Sequence, residues 1–217
     1  MLDPFGDFET AGYLRNVYGY KEKAAVTGAE RFTVKNNLST AAEFIRRVNG
    51  EIRYSHVLKV HKLLFGELYP WAGIDRSVNA PELNITKAGL DDLFSLPFDT
   101  RRAMEYALNQ ASNQSVMRQK PGWIMGLMAY SHPFLDGNGR TIMLVHQELC
   151  YRSGFSVDWK KTNKSHYLSA LTEELQEPGK GKLDNYLLPF VVDKKISLKE
   201  SVDVQLSLPG LNSINRP

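Results

Sequence analysis

Nine consecutive residues carry most of the chemical information in this sequence: His132-Pro133-Phe134-Leu135-Asp136-Gly137-Asn138-Gly139-Arg140. An unperturbed imidazole titrates at about pH 6.5, so His132 is suited to taking a proton from a hydroxyl. Gly137 and Gly139 permit positive φ and let a backbone approach a ligand closely. The helix that starts beside them presents unpaired N–H groups and the positive end of its dipole, which together make an anion site. Asn138 adds amide donors, and Arg140 adds a planar cation that grips phosphate through two hydrogen bonds. Asp136 is a poor neighbour for bare phosphate; its place makes sense if it holds a Mg2+ ion bridging phosphate oxygens. Pro133 and Phe134 stiffen and anchor the loop. Taken singly, each residue has a plainer use, since a Gly-Asn-Gly turn between helices needs no ligand. Taken together, they describe transfer of a phosphate-bearing group, with His132 as general base.

Two helices must hold this loop. Pro121-Gly122 opens the nearly all-apolar run Trp123 to Tyr130, and a helix apolar on every side belongs in a core. Behind the loop, Thr141 to Arg152 reads as a second helix stopped by Gly154. Upstream, Ser39-Thr40 looks like a helix start with Gly50 as its stop, and Tyr54 to Phe65 carries a helical apolar stripe. Residues 71–90 lack that period and read as loop, with extended pieces around Ser77-Val78 and Leu83-Ile85-Thr86. Helices are further expected over Asp99 to Gln110, His166 to Leu175 and Asp184 to Val192. The segment Met1 to Gly19 reads as an irregular arm, and little order is expected after Lys194. The expected architecture is all-α, one domain over residues 1–193 and a tail over 194–217.

Composition narrows the class. The chain has 217 residues, 42% hydrophobic and 24% charged, enough for one ordinary core. A net charge of +3 is too small to argue for nucleic acid. A single cysteine, Cys150, excludes an internal disulfide and permits a reducing compartment. The N-terminus lacks the basic and apolar regions of a signal peptide. No stretch of about 18 apolar residues is present, so no membrane span is expected. Cytoplasmic residence is the default expectation, with delivery into another cell left open.

The run 132–140 resembles the signature of the Fic family, His-Pro-Phe-x-Asp/Glu-Gly-Asn-Gly-Arg, at every specified position. The segment Ile52 to Arg76, with His61-Lys62-Leu63-Leu64-Phe65-Gly66 and Tyr69-Pro70-Trp71-Ala72-Gly73, is similar to the family's stretch ahead of its active site. The opening Asp3-Pro4-Phe5 and Leu14-Arg15-Asn16 resembles short bacterial Fic toxins. The resemblance implies an all-α Fic-type core with a β-hairpin flap that aligns the target, near Val78, Ile85, Thr86 and Lys87. It implies a protein adenylyltransferase that moves AMP from ATP, with Mg2+, onto a Ser, Thr or Tyr hydroxyl of a target protein. It assigns His132 as base, Asp136 to the metal, and Phe134, Gly137, Asn138, Gly139 and Arg140 to the nucleotide and its phosphates. An antitoxin-like inhibitor protein is a further partner of the kind the resemblance implies.

One position departs from the family pattern. Many adenylylating members carry a second Arg three residues after the first, where this chain has Met143. A lost charged contact to phosphate costs about 1.5–3 kcal/mol, and an enzyme weakened in that way is expected to gain ATP affinity from Met143→Arg. The same gap leaves room for another donor or phosphate chemistry: UMP transfer, phosphorylation or phosphocholine transfer. A binding module that keeps the fold without activity is the remaining alternative. No restraining Ser/Thr-x-x-x-Glu-Gly/Asn string is visible; Ser39 to Phe44 and Ser169 to Glu174 approach it, but neither ends in Gly or Asn.

Overall fold

A computed structural model describes residues 14–85 and 93–208. The helical class expected from the sequence holds. Helix α1 (Lys23–Arg46) packs along α2 (Tyr54–Phe65), and a single turn, α3 (Arg76–Asn79), follows. The chain continues through α4 (Thr100–Ser112), α5 (Gln114–Gln119), α6 (Pro121–Ser131) and α7 (Asn138–Arg152). Strand β1 (Ser156–Val157) then precedes α8 (Lys164–Gln176) and α9 (Lys182–Leu187), followed by β2 (Val191–Val192) and α10 (Leu198–Ser207).

The all-apolar run forms α6, and α6 is the hub. Ile124, Met125 and Met128 are fully buried, and the helix contacts α4, α7, α8 and α9. Gly122 lets α9 come close, because a Cβ there would stand 2.4 Å from the Asp184 backbone nitrogen. Asp184 in return accepts from the N–H groups of Gly122 (2.7 Å) and Trp123 (3.2 Å), satisfying donors at the start of α6.

Helix α1 begins at Lys23, well before the Ser39-Thr40 start that the sequence suggests. Val26, Glu30, Thr33, Val34 and Leu38 bury one face of that added length. Its far end is tied to α7 through charge. Glu148 takes Arg46 Nε at 2.6 Å and Arg152 Nε at 2.9 Å, while Arg152 Nη2 donates to the Ile45 and Val48 carbonyls at 3.1 and 2.8 Å. Those carbonyls lie at the C-terminus of α1, where a cation is favoured.

Several further expectations are corrected. Ser77 and Val78 are helical rather than extended, because Asp75 caps α3 by accepting from Ser77 N–H at 2.7 Å. Val78 is 72% exposed, and none of the described residues 77–85 is in a strand; Thr86 and Lys87 lie outside the described residues. The antiparallel pair among the described residues is elsewhere, with Ser156 opposite Val192 and Val157 opposite Val191, so the helix expected over Asp184 to Val192 ends at Leu187. After Lys194, α10 forms instead of irregular chain. Ser197 and Glu200 make a reciprocal capping box, and Val202 packs into the core.

Candidate active site

The loop expected to carry the chemistry joins the end of α6 to the start of α7. His132 is the C-cap of α6, with φ 43° and ψ 57° in the left-handed region. Among the described residues it is the one non-glycine with positive φ. Glycine or asparagine is the usual occupant of such a cap, so a histidine there carries strain of order 1 kcal/mol. Its half-buried ring lies against Phe94, with centroids 3.9 Å apart.

Asn138 ties the loop into a closed unit. Its Oδ1 accepts from Phe134 N–H at 3.0 Å, and its Nδ2 donates to Phe134 O at 2.7 Å. Its side-chain amide therefore braces the loop, which commits one of its two Nδ2 N–H groups. Phe134 is fully buried with its ring stacked on His61 at 3.7 Å, so it anchors the loop and its side chain offers no surface to a nucleotide.

Beneath this unit sits His61, also fully buried. Gly73 N–H donates to its Nδ1 at 2.8 Å, which puts the proton on Nε2, where it is donated to Asp136 O at 3.0 Å. Burial holds this imidazole neutral, pushing its pKa down to about 3. Gly137, at φ 78°, passes directly over it; a Cβ there would meet Phe65 Cε2 at 2.6 Å and His61 Nε2 at 3.0 Å. Gly139, by contrast, is an ordinary helical residue with open space where a Cβ would point. Its absent side chain keeps the first turn of α7 accessible.

Arg140 reaches the same place from α7. Its Nη2 is 3.2 Å from Glu30 Oε2 and 3.8 Å from Asp136 Oδ1, and the guanidinium lies over the Phe65 ring at 4.7 Å. Tyr69 OH donates to the other Glu30 oxygen at 2.6 Å. Glu30 titrates above the usual carboxylate range, first because it is buried and then because Asp136 is near, with Arg140 opposing both. Two carboxylates thus share one guanidinium, an excess of negative charge that a divalent cation would relieve. Asp136 Oδ1 also accepts from Gly137 N–H at 2.6 Å. Among the described residues no group of three or more His, Cys, Asp or Glu side chains could hold a metal. One half-exposed carboxylate fits Mg2+ only as an ion shared with substrate phosphates and water, its customary mode.

The sequence alone did not single out Glu30, and it gave Arg76 only as the end of a matching segment. A buried stripe at Val26, Glu30, Thr33, Val34 and Leu38 is the signal for the first. Arg76 carries no comparable local signal. It is fully buried, and its Nε donates to the His132 carbonyl at 2.8 Å.

His132, Asn138, Gly139, Ile142, Ala129, Leu171, Leu175, Ile85 and Phe94 enclose a cavity of about 300 Å3. A hydroxyl entering it meets the His132 side, and an anion entering it meets the first turn of α7. Ile85 is thereby placed at the site, whereas Val78 is not among the residues around this cavity.

Residues 51–150 match the model of the Fic/DOC family. The protein adenylyltransferase VbhT of Bartonella schoenbuchensis is 26% identical over 93% of this chain and 42% of its own length. The probable protein adenylyltransferase y4lH of Sinorhizobium fredii is 24% identical over 57% of this chain and 65% of its own. The chain therefore spans about half the length of these curated relatives. The crystal structure of the VirB-translocated effector BepC of Bartonella tribocorum, with bound AMPPNP, superposes with a TM-score of 0.68 at 19% identity, over 84% of this chain and 93% of that one. An N-terminal Fic domain of a Bartonella quintana effector, with bound ADP, gives 0.68 at 19% identity over 86% and 94%. At these identities the likeness speaks to the fold. The family match covers both the Tyr54–Phe65 helix and the complete run from His132 to Arg140, so the part of the chain that holds the candidate site, residues 51–150, is similar to the Fic/DOC family.

Proposed function

We propose that this chain is a protein adenylyltransferase that moves AMP from ATP onto a Ser, Thr or Tyr hydroxyl of a target protein. The observation that carries the reading is that His132 and the N-terminus of α7 border one cavity. In the proposed step His132 accepts the proton of the target hydroxyl. The hydroxyl oxygen bonds to the α-phosphorus of ATP, the bond from that phosphorus to the bridging oxygen breaks, and pyrophosphate leaves. N–H groups in the first turn of α7 receive phosphate charge, and Gly139 leaves room for it. Arg140 reaches phosphate by sharing its guanidinium with Glu30. Mg2+, held by Asp136 when bound, would neutralise phosphate oxygens. The relatives named as adenylyltransferases and the nucleotides in the two effector structures support the choice of donor.

Several expectations join this proposal. The catalytic unit is the domain expected over residues 1–193 together with α10, which packs against α1, and the partner is a protein presenting a hydroxyl. No described helix is long and apolar enough to cross a membrane. Delivery into another cell is supported by the translocated effectors that share the fold.

A second reading, transfer from another donor, is favoured by Met143, which is buried in the core where many adenylylating relatives are expected to have a second Arg. One experiment separates the readings: incubation with cell lysate and ATP labelled at the α- or γ-phosphate, with labelled UTP and CDP-choline alongside. Protein labelling from α-labelled ATP alone supports adenylylation. Labelling from γ-labelled ATP, UTP or CDP-choline moves the assignment to that donor, and no transfer from any donor leaves a binding module.

A further inference from the structure

We propose that Arg76 is a positioning residue that holds the base His132 and the cavity walls Ile85 and Phe94 in one frame. The inference rests on the reading of His132 as the base. Arg76 is fully buried, and its guanidinium reaches three backbone carbonyls from three different stretches of chain. Nε donates to His132 O at 2.8 Å, Nη1 to Leu83 O at 3.1 Å, and Nη2 to Ser95 O. Its own backbone N–H donates to Pro133 O at 2.8 Å.

These contacts surround the cavity. Leu83 stands two residues before Ile85 and Ser95 one residue after Phe94, and both Ile85 and Phe94 line the cavity with His132. Phe94 also lies against the His132 ring. Ser95 strengthens the joint, since its N–H donates to Tyr130 O and its hydroxyl to Ser131 O, each at 2.8 Å. Three successive carbonyls at the end of α6 are thus taken by Ser95 and Arg76. A planar guanidinium fixes the relative positions of the acceptors it bridges, which a single ammonium cannot do. His132 sits in a strained left-handed conformation, so something must over-determine it; Ser95 takes the two carbonyls before it, at Tyr130 and Ser131, and residue 76 takes its own carbonyl and that of Pro133. A plain helix cap would need only the first of these bonds and would not reach Leu83.

The test uses Arg76→Lys, which keeps the buried cation but loses the planar fork, and Arg76→Gln as the neutral variant. For each folded variant, AMP-PNP affinity is expected to stay within about threefold of wild type, because the first turn of α7 and Arg140 are untouched. Transfer of label from α-labelled ATP into lysate protein at saturating nucleotide is expected to fall roughly ten- to a hundredfold, the scale of a misplaced reacting group. Unchanged transfer, or nucleotide affinity lost in step with transfer, overturns the proposal. Hydrogen exchange on the wild-type chain decides the case even if neither variant folds or no transfer is found. The amides of Arg76, Ser95 and Phe134 are expected to open with a single free energy. Ser95 and Arg76 opening independently of Phe134 refutes a shared frame, and does so without reference to the reaction.

Discussion

Asn138 and Phe134 are joined twice, with the Asn138 amide accepting from the Phe134 N–H at 3.0 Å and donating to the Phe134 carbonyl at 2.7 Å. The pair closes the loop over the buried His61 ring. Asn138 is 5% exposed, so its removal leaves two backbone groups without partners and out of reach of water. Asn138→Ala is therefore expected to cost roughly 2–4 kcal/mol of stability and to lower transfer through a loosened loop. Denaturant unfolding checks the first part. A variant as stable as wild type would show that the ring is not what holds the loop.

Replacing His132 separates its chemistry from its backbone. His132→Ala is expected to lower transfer by about 10²–10⁴-fold. His132→Asn is expected to be equally inactive but at least as stable as His132→Ala, because asparagine tolerates the left-handed φ of 43° better than alanine does. Near-normal transfer by either variant would remove His132 as the base.

The nine-residue run was legible because it is local: every group it needs lies within one turn of backbone between two strongly patterned helices. The roles within it were less so. Asn138 and Phe134 look like ligand contacts in sequence, and only packing shows that each is committed to the other. Glu30 and Arg76 lie more than fifty residues from the loop, so their involvement depends on how α1 and α3 pack. Helix α1 itself was half read, since Gly28 and the polar pair Asn36-Asn37 interrupt its apolar stripe. The short turn at Ser77-Val78 owes its helicity to one Asp75 cap, a signal too small to outweigh the surrounding loop composition.

Acid should destabilise the fold through its buried histidines. His61 and His146 are both held neutral by burial, with pKa values pushed down to about 3 and about 4 from an ordinary 6.5. In the unfolded chain each takes up a proton as pH falls below about 6.5. Their contribution to stability is thus fully present above that pH and is lost as pH falls towards the folded values, by roughly 2 kcal/mol each at pH 5. Melting temperature is expected to fall between pH 7 and pH 5, and His61→Gln should show a shallower slope. An equal slope in wild type and variant would remove His61 from the account.

Asp136→Ala probes the charge balance around Arg140. With the carboxylate gone, Glu30 and Arg140 remain as a one-to-one pair. Transfer is expected to fall and its dependence on Mg2+ to flatten, while ATP still binds at the first turn of α7. A magnesium titration on wild type and variant measures both effects. An unaltered Mg2+ dependence would show that the ion has another seat.

Met143 tests how the site manages with one guanidinium. A charge at this position would lie on the same helix face as Arg140, one turn on, and from sequence alone is expected to strengthen ATP binding. The structure points the other way. Met143 is 9% exposed and belongs to the core, while the cavity wall on α7 is made by Asn138, Gly139 and Ile142. A guanidinium placed there enters apolar packing, and the two carboxylates of the site, Glu30 and Asp136, are already engaged with Arg140. An unpaired buried charge costs on the order of 3 kcal/mol. Met143→Arg is therefore expected to melt lower than wild type without gaining ATP affinity. Met143→Leu, close in volume, should leave both nearly unchanged. Calorimetric titration with ATP and thermal melts on the two variants decide the matter. Tighter ATP binding by a stably folded Met143→Arg would show instead that the side chain can turn out of the core to reach phosphate.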